Sequence, residues 1–371
     1  MTIMKERKLY KIGQLTRLLG ITSRTLRYYD QTGILPHVKR STGGMRLFDD
    51  EDLDIIKRVR RIQNKEKISL EEIRNRLYGQ PSSIKTAIVI TDGGASIPSE
   101  LLPNLPIQII PVQLQAGDLI FNNAELPLDE FWSRSRTAKQ QPELQAPSVD
   151  VFTKAYQACA DAGYTQIYSI HTSSLFSDAH DNAKKAAGLM SDQVTITVYD
   201  SKSIGSGLGL LVSQIAEAVT NEEPVEQINS LITKQLPMTH LLCMADSVED
   251  LAIGNVIPIQ HTPSAGLMEK MFKFKPVFTI QNRTGEISIL DCCITKEHGI
   301  EIIMEALARE ISLRGKYINR IMVGYNYMYG EATNLVNQVK LQYPNVPVFI
   351  QEDTGIFSVF AGPRTVTLSV A

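Results

Sequence analysis

Residues 198–212 read VYDSKSIGSGLGLLV, and this stretch decides the fold of most of the chain. A β-rich run ends at Tyr199, a polar loop follows over residues 200–203, and a helical stretch continues to about residue 220. A strand, a short hydroxyl-rich loop and a helix in that order are typical of a parallel α/β unit. The glycines of GSGLG lack the GxGxxG spacing, so they do not indicate a dinucleotide-binding motif.

The same alternation extends on both sides of this stretch. Strands are predicted at residues 84–91, 107–114, 166–171, 194–199, 239–244, 276–281, 286–291, 319–323, 347–350 and 365–370. Helices are predicted at residues 149–162, 178–190, 205–220, 225–235, 297–313 and 331–342. The pattern predicts an α/β fold with parallel strands, at least in its first half.

The first eighty residues differ from the rest in charge and in pattern. They carry 18 Lys and Arg against 10 Asp and Glu, a net charge of +8, whereas residues 81–371 carry 20 against 30, a net charge of −10. A Gly-Gln-Pro-Ser-Ser stretch at 79–83 separates them. We therefore expect two domains, a basic head at 8–80 and an acidic body at 84–371, and the basic charge favours a polyanionic partner for the head.

The head has the pattern of a winged helix–turn–helix. A short helix over residues 14–19 and a Gly20 turn precede a second helix, which Thr22 or Ser23 caps and which runs to about Asp30. Two short strands around the Gly-Gly pair then form a wing over residues 38–48. A capped, arginine-rich second helix fits a DNA major groove.

The strings TSRTLRYYDQTGILP (22–36), GGMRLF (43–48) and ISLEEIRNRL (68–77) resemble the MerR family of DNA-binding regulators. The resemblance covers residues 8–78 and implies DNA contacts from the second helix and the wing. The expected DNA-binding residues are Ser23, Arg24, Arg27, Tyr28, Tyr29, Lys39, Arg40 and Arg46. The long dimerising coiled coil of that family is missing here, because the linker arrives by residue 81.

Three strand-to-helix loops of the body are rich in hydroxyl groups, at residues 91–96, 171–177 and 200–203. Such loops offer backbone N–H groups and hydroxyl donors to an anionic ligand, although each loop alone is explained as well by helix capping. Together, the strings ITDGGASIPSEL, SIHTSSLFS, VYDSKSIGSGLGLLV and GIFSVFAGP resemble the DegV family of fatty-acid-binding proteins over residues 84–371. The resemblance implies a two-lobed α/β body with one acyl chain between the lobes.

The chain departs from the DegV pattern where that family's polar ligand contacts are expected. By this resemblance a threonine, an arginine and a histidine are replaced by Leu144, Val256 and Phe360. A buried carboxylate with few donors is costly. Either the ligand has a less polar head group, or other donors compensate. The expected ligand-binding residues are Gln145, Ser148, Ser173, Ser174, Ser177 and Arg364.

No motif indicates catalysis, a metal site or a cofactor, so we expect a binding protein rather than an enzyme, with a bound apolar ligand instead of a cofactor. The four cysteines do not suggest a disulfide framework. The cluster of Met268, Met271, Phe272 and Phe274 fits an acyl tunnel and ordinary core equally well. No apolar run reaches membrane-spanning length, and no secretory signal core precedes the head, so we expect a cytoplasmic protein without membrane insertion.

Together these features predict a ligand-responsive transcription regulator with double-stranded DNA and a fatty-acid-like molecule as partners. We also expect a homodimer, because a MerR-type head reads two half-sites. The alternative is a fatty-acid-binding carrier that serves an acyl kinase, with the head as an autoregulatory appendage.

Overall fold

The computed structural model describes residues 9–32, 34–35, 38–41, 45–66, 69–78, 87–116, 119–122, 132–133, 143–190, 193–248, 251, 274–281, 283–313 and 318–371. Two compact units divide the chain. The first comprises Met1–Ser83 and Ser99–Leu105, and the second comprises Ile84–Pro98 and Pro106–Ala371. The Met268, Met271 and Phe272 part of the predicted Met–Phe cluster lies outside the described residues.

The head contains four helices and a small antiparallel sheet of order β1-β3-β2 among its described residues. Its elements are β1 Tyr10–Lys11, α1 Ile12–Leu19, α2 Ser23–Gln31, β2 Lys39–Arg40, β3 Arg46–Phe48, α3 Asp50–Glu66 and α4 Leu70–Tyr78. Buried apolar side chains from the helices and the wing share one core, which includes Leu15, Leu26, Phe48 and Ile56. This is the predicted winged helix–turn–helix.

The first lobe of the body is a four-stranded parallel sheet of order β10-β9-β4-β5 with helices α5 and α6. Its elements are β4 Ala87–Asp92, β5 Ile107–Ile110, α5 Val149–Asp161, β9 Gln166–His171, α6 Ala179–Leu189 and β10 Thr195–Asp200. β4 and β9 are buried along their whole length, as strands of a parallel sheet usually are.

The second lobe is a six-stranded mixed sheet of order β13-β12-β11-β16-β14-β15. Its elements are β11 His240–Ala245, β12 Lys275–Ile280, β13 Ile287–Cys293, α9 Lys296–Leu313, β14 Ile321–Asn326, α10 Tyr329–Gln342, β15 Val348–Glu352, α11 Gly355–Ala361 and β16 Thr365–Val370. One face of this sheet forms a large core with α9 and α10.

Residues 198–212, with which the sequence analysis began, form the end of β10, a tight loop and the start of a central helix. This helix, α7 Gly205–Thr220, is buried over nearly all of its residues and contacts β4 of the first lobe as well as β14 and β16 of the second. A helix that is apolar all round is expected to lie inside a protein. Helix α8 Val225–Gln235 follows and packs on α7.

A third sheet of the body was only partly predicted. Its strands are β6 Gln113–Ala116, β7 Leu119–Asn122 and β8 Glu143–Gln145, in the order β7-β6-β8. The single strand predicted at 107–114 is in fact β5 and β6, separated at Pro111, which has no N–H to donate to a sheet. Strands β7 and β8 and the helix α11 were not predicted, because they are short and lack a clear apolar period.

Candidate functional site

Helix α2 presents two arginines on the surface of the head. The hydroxyl of Thr22 accepts a hydrogen bond from the N–H of Thr25 at 3.0 Å and caps the helix. Gly20 takes the left-handed conformation, with φ +60°, that the tight turn before the helix requires. Arg24 and Arg27 are both exposed and lie three residues apart, so they share one face of α2. Ser23 is half-buried at the first position of the helix.

Tyr29 does not lie on that surface. It is 2% exposed within the core of the head, and its hydroxyl donates a hydrogen bond to Oε1 of Gln63 at 2.9 Å. Burial raises the pKa of Tyr29, against a smaller opposing effect of Arg60. Tyr28 is half-buried beside the same core. The expectation that Tyr29 reaches a phosphate therefore needs correction, since packing holds this ring in the interior.

Arg46 is the second of the predicted DNA contacts to occupy the interior. Its Nε donates to Oδ2 of Asp30 at 2.7 Å, and the two side chains are only 8% and 3% exposed. This buried ion pair ties the wing to the end of α2, so the predicted role of Arg46 in DNA contact is corrected to a structural one. Lys39 of the wing is exposed, with its Nζ 3.9 Å from Asp49, and the side chain of Arg40 lies outside the described residues.

Five of the predicted ligand residues lie in two segments of the body. Ser173, Ser174 and Ser177 follow β9, whereas Gln145 is the last residue of β8 and Ser148 directly precedes α5. The amide of Asn182 donates to the carbonyl of Pro147 at 3.0 Å, which connects the two regions. This bond joins the segment before α5 to α6, which follows Ser177 along the chain.

Each of those five side chains already has a hydrogen-bond partner within the protein. Ser174 donates to Asp200, Gln145 donates to Gln115, and the hydroxyls of Ser173, Ser177 and Ser148 accept from the N–H groups of Leu175, Ala179 and Val151. Helix capping and loop closure therefore account for these bonds. A serine hydroxyl that accepts a hydrogen bond still has its own O–H to donate, so the bonds of Ser173, Ser177 and Ser148 are compatible with a ligand contact.

Arg364 lies apart from these loops, immediately before β16. Its Nε is 3.2 Å from Oδ2 of Asp246, while Nζ of Lys275 is 2.9 Å from Oδ1 of the same carboxylate. The Arg364 side chain is half exposed. The two cations thus share one carboxylate at the carboxyl end of β11.

A fully buried chain of hydrogen bonds crosses the first lobe, and no sequence motif predicted it. Oδ2 of Asp92 lies 3.2 Å from Nδ1 of His171, Nε2 of His171 lies 2.6 Å from Oγ of Ser169, and that hydroxyl lies 2.7 Å from the hydroxyl of Tyr156. Burial raises the pKa of Asp92, but hydrogen bonds from His171 and Thr172 outweigh it, so the pKa lies below its ordinary value. The only sequence signal was that Asp92 and His171 end neighbouring strands.

A second buried polar stripe lies on the face of β16 that points towards α7. Thr367 donates to Oδ2 of Asp353 at 2.8 Å, and the Ser206 hydroxyl of α7 is 2.8 Å from the hydroxyls of both Thr367 and Ser369. Burial raises the pKa of Asp353 to about 6, although hydrogen bonds from Ser96, Thr367 and Ser206 oppose that rise. The alternating Thr and Ser of TVTLS (365–369) was the available signal.

An apolar cluster lies next to this stripe. It joins one face of β11 and β12 to α11 and to the three-stranded sheet β7-β6-β8, and it includes Leu114, Cys243 and Phe278. Phe176 and Phe360 pack against it, with ring centroids 5.2 Å apart. Within the described residues, the body therefore places an extended apolar region beside a row of buried hydroxyl groups.

Comparisons with known proteins agree with this architecture. The family model described as "Uncharacterised protein, DegV family" matches residues 85–371, which is most of the chain. The chain belongs to the DegV family. A second model, "MerR HTH family regulatory protein", matches residues 10–80. The predicted resemblances and the predicted fold class, a winged helix–turn–helix with a two-lobed α/β DegV-like body, are confirmed.

Relatives and solved structures cover the body. A DegV domain-containing protein of Clostridium perfringens is 21% identical over 76% of this chain and 98% of its own. A stearic acid-binding protein of Eubacterium ventriosum has the same fold, with a TM-score of 0.67 and 19% identity over 77% of this chain and 98% of its own. The fatty acid kinase B3 protein of Streptococcus pneumoniae, solved with linoleic acid, has a TM-score of 0.62 at 19% identity, over 76% and 98% of the two chains.

Two features of the described residues concern other kinds of site. None of the helices described is both long and apolar enough to span a membrane. Among the same residues, no three His, Cys, Asp or Glu side chains are grouped so that they could hold a metal ion.

Proposed function

We propose that this DegV-family protein is a ligand-responsive transcription regulator. The head binds double-stranded DNA, and the body binds a fatty acid or a similar long apolar molecule that changes the DNA affinity. The observation that carries the proposal is the union, in one chain, of a MerR-type helix–turn–helix with a DegV fold. The proposed role is binding without catalysis, and a DNA-binding role places the protein in the cytoplasm.

The charge and the surface of the head support the DNA-binding part. Arg24 and Arg27 are exposed on one face of the capped helix α2, where arginine can bind phosphate or the edge of guanine. Ser23 precedes them on the same helix, and Lys39 is an exposed cation of the wing. The excess of eight positive charges over residues 1–80 supplies long-range attraction to DNA.

The interior of the body supports the ligand-binding part. The apolar cluster around Leu114, Cys243 and Phe278 lies beside buried hydroxyl groups, and such a mixture suits a long chain with one polar end. Several proteins of the same fold are described as fatty-acid-binding proteins, those of Eubacterium ventriosum and Bacillus subtilis among them. Mass spectrometry of organic extracts from the purified full chain tests this part, and an extract without any long-chain molecule, with no thermal shift on adding one, argues against it.

DNA selection with the full chain tests the other part. Duplexes enriched from a random library are measured by fluorescence anisotropy over a series of salt concentrations, and we expect binding to weaken steeply as salt rises. Arg27→Ala is expected to weaken binding about tenfold or more, because it removes a charge-assisted contact. Lys154→Ala, an exposed cation of the body, serves as the control. Equal affinity for selected and random duplexes would refute the proposal.

The carrier alternative rests on the body alone. One structure of the same fold is a component of a fatty acid kinase. In that alternative the head is an autoregulatory DNA-binding appendage. We prefer the regulator because the arginine and the histidine of the DegV pattern are replaced by Val256 and Phe360 in this chain. An acyl kinase that phosphorylates the bound ligand, together with a DNA affinity that the ligand does not change, would favour the carrier.

A further inference from the structure

The carboxyl ends of β11 and β14 meet the amino end of β16, which lies between them, at one edge of the six-stranded sheet. In register, Ala245 of β11 pairs with Thr365 of β16, and Thr365 pairs with Asn326 of β14. Residues paired across antiparallel strands share a face. Ala245 belongs to the apolar cluster of the body, so this row leads from apolar surface at Ala245 to polar side chains at Thr365 and Asn326.

The polar side chains of this row are buried but have no partners within the described part of the chain. Asn326 and Thr365 are both 0% exposed. Neither Oδ1 nor Nδ2 of Asn326 has a hydrogen-bond partner there, and the same holds for Oγ1 of Thr365 and of the neighbouring Thr354. Buried polar atoms in native proteins are nearly always paired, so four such atoms together indicate that something else binds them.

The charges around the row disfavour an anion. The carboxyl of Asp353 is 2% exposed and is joined through Thr367 to the stripe of hydroxyl groups on the same face. The cations at this edge, Arg364 and Lys275, are both held by the carboxylate of Asp246. The unpartnered groups themselves are an amide and hydroxyls, which are neutral and can both donate and accept.

We propose that Asn326, Thr365 and Thr354 form a subsite for the uncharged polar end of a long-chain ligand, such as a fatty alcohol, a fatty amide or a monoacylglycerol. The chain of the ligand lies along the apolar cluster that begins at Ala245. This inference rests on the proposed ligand-binding function and specifies its ligand class. It differs from the sequence-based expectation of a site at Ser173, Ser174 and Ser177, whose side chains already have partners.

Matched ligands of one chain length test the subsite. Tetradecanol, tetradecanamide and tetradecanoic acid are titrated into the delipidated full chain at pH 7.5, and we expect the two neutral ligands to bind at least tenfold more tightly than the acid. Asn326→Leu and Thr365→Val are expected to weaken the neutral ligands about tenfold each, because each removes hydrogen bonds in a buried site. Asp353→Asn is expected to strengthen binding of the acid by removing a nearby negative charge.

Thr279→Val is the control for these substitutions, and three other results would contradict the subsite. Thr279→Val changes another buried threonine of the same sheet, whose hydroxyl donates to the carbonyl of Leu241, and it should leave all three affinities unchanged. Tighter binding of the acid that is lost in Arg364→Ala would overturn the inference and leave the proposed function standing. Unchanged affinities in both Asn326→Leu and Thr365→Val would mean that only water occupies the subsite. If none of the three ligands binds, the proposed function fails as well.

Discussion

Two arginines of the head carry the same charge in opposite environments. Arg27 is exposed on α2, whereas Arg46 is buried against Asp30. Arg46→Ala leaves the Asp30 carboxylate buried without this partner, so we expect the head to lose about 3 kcal/mol of unfolding free energy. Arg27→Ala is expected to change stability by less than about 0.5 kcal/mol. Urea unfolding of both full-length variants measures this, and equal stability would show that the buried pair contributes little.

The buried carboxyl of Asp353 makes the unfolding free energy of the body depend on pH. Because burial raises its pKa from the ordinary 3.8 to about 6, the folded state holds this proton more tightly than the unfolded state. The Asp353 carboxyl therefore stabilises the folded state at low pH, and this stabilisation is lost as the pH rises through about 6. Asp353→Asn removes that effect and should be more stable than the native chain by up to about 3 kcal/mol above pH 6, with no difference near pH 3. Urea unfolding from pH 3 to pH 8 measures the difference, and a pH-independent loss would contradict it.

From the sequence alone, the types of the functional residues could be predicted more readily than the side chains that surround them in the fold. The MerR resemblance predicted Arg46 of the wing as a DNA contact, and nothing in the sequence shows that Asp30 lies beside it. The hydroxyl-rich loop predicted Ser174 as a ligand donor, but Asp200 accepts its hydrogen bond. Both observations concern side-chain pairs distant in sequence, and such pairs are set by the fold; the ligand role of Ser174 stays a prediction.

The order of helices and strands was largely predictable, because apolar periodicity controls it. The predicted bounds 205–220 and 225–235 are those of α7 and α8, and the predicted strands at 166–171 and 365–370 are β9 and β16. The glycines of GSGLG have a steric explanation that the sequence did not supply. A Cβ on Gly209 would lie 1.9 Å from the carbonyl oxygen of Ser96, so only glycine permits this close approach of α7.

That contact gives a prediction for α7. Gly209→Ala forces the helix or the Ser96 backbone to move, and we expect a loss of about 1–3 kcal/mol of unfolding free energy for the body. Gly188→Ala in α6 is the matched control, because its Cβ would meet nothing within 4 Å. Alanine favours the helix there by about 0.5–1 kcal/mol. Thermal unfolding of the two variants should therefore shift in opposite directions, and a shift in the same direction would contradict the packing described for α7.

The proposed function requires a dimer with two-fold symmetry, because a MerR-type head reads two DNA half-sites. Helix α4 has nine residues and therefore measures about 14 Å, which is short for a dimerising coiled coil. DNA half-sites lie about 34 Å apart. We expect the full chain to be a homodimer in solution, with an interface that includes the body. Light scattering across a range of protein concentrations measures its mass, and a monomer that remains monomeric on selected DNA would contradict the prediction.

Regulation by a ligand requires that the DNA affinity of the head and the ligand affinity of the body depend on each other. If the ligand changes the affinity of the head for DNA by some factor, DNA must change the affinity of the body for the ligand by the same factor. We expect a coupling of about 5- to 150-fold, the usual range for allosteric proteins. Titrations of ligand with and without selected DNA, and of DNA with and without ligand, measure the two factors independently. Equal factors well above one support a sensor, because the ligand then prefers one of the states that differ in DNA affinity. Two factors of one mean that the head and the body bind independently, which leaves a lipid carrier with a DNA-binding appendage as the better description.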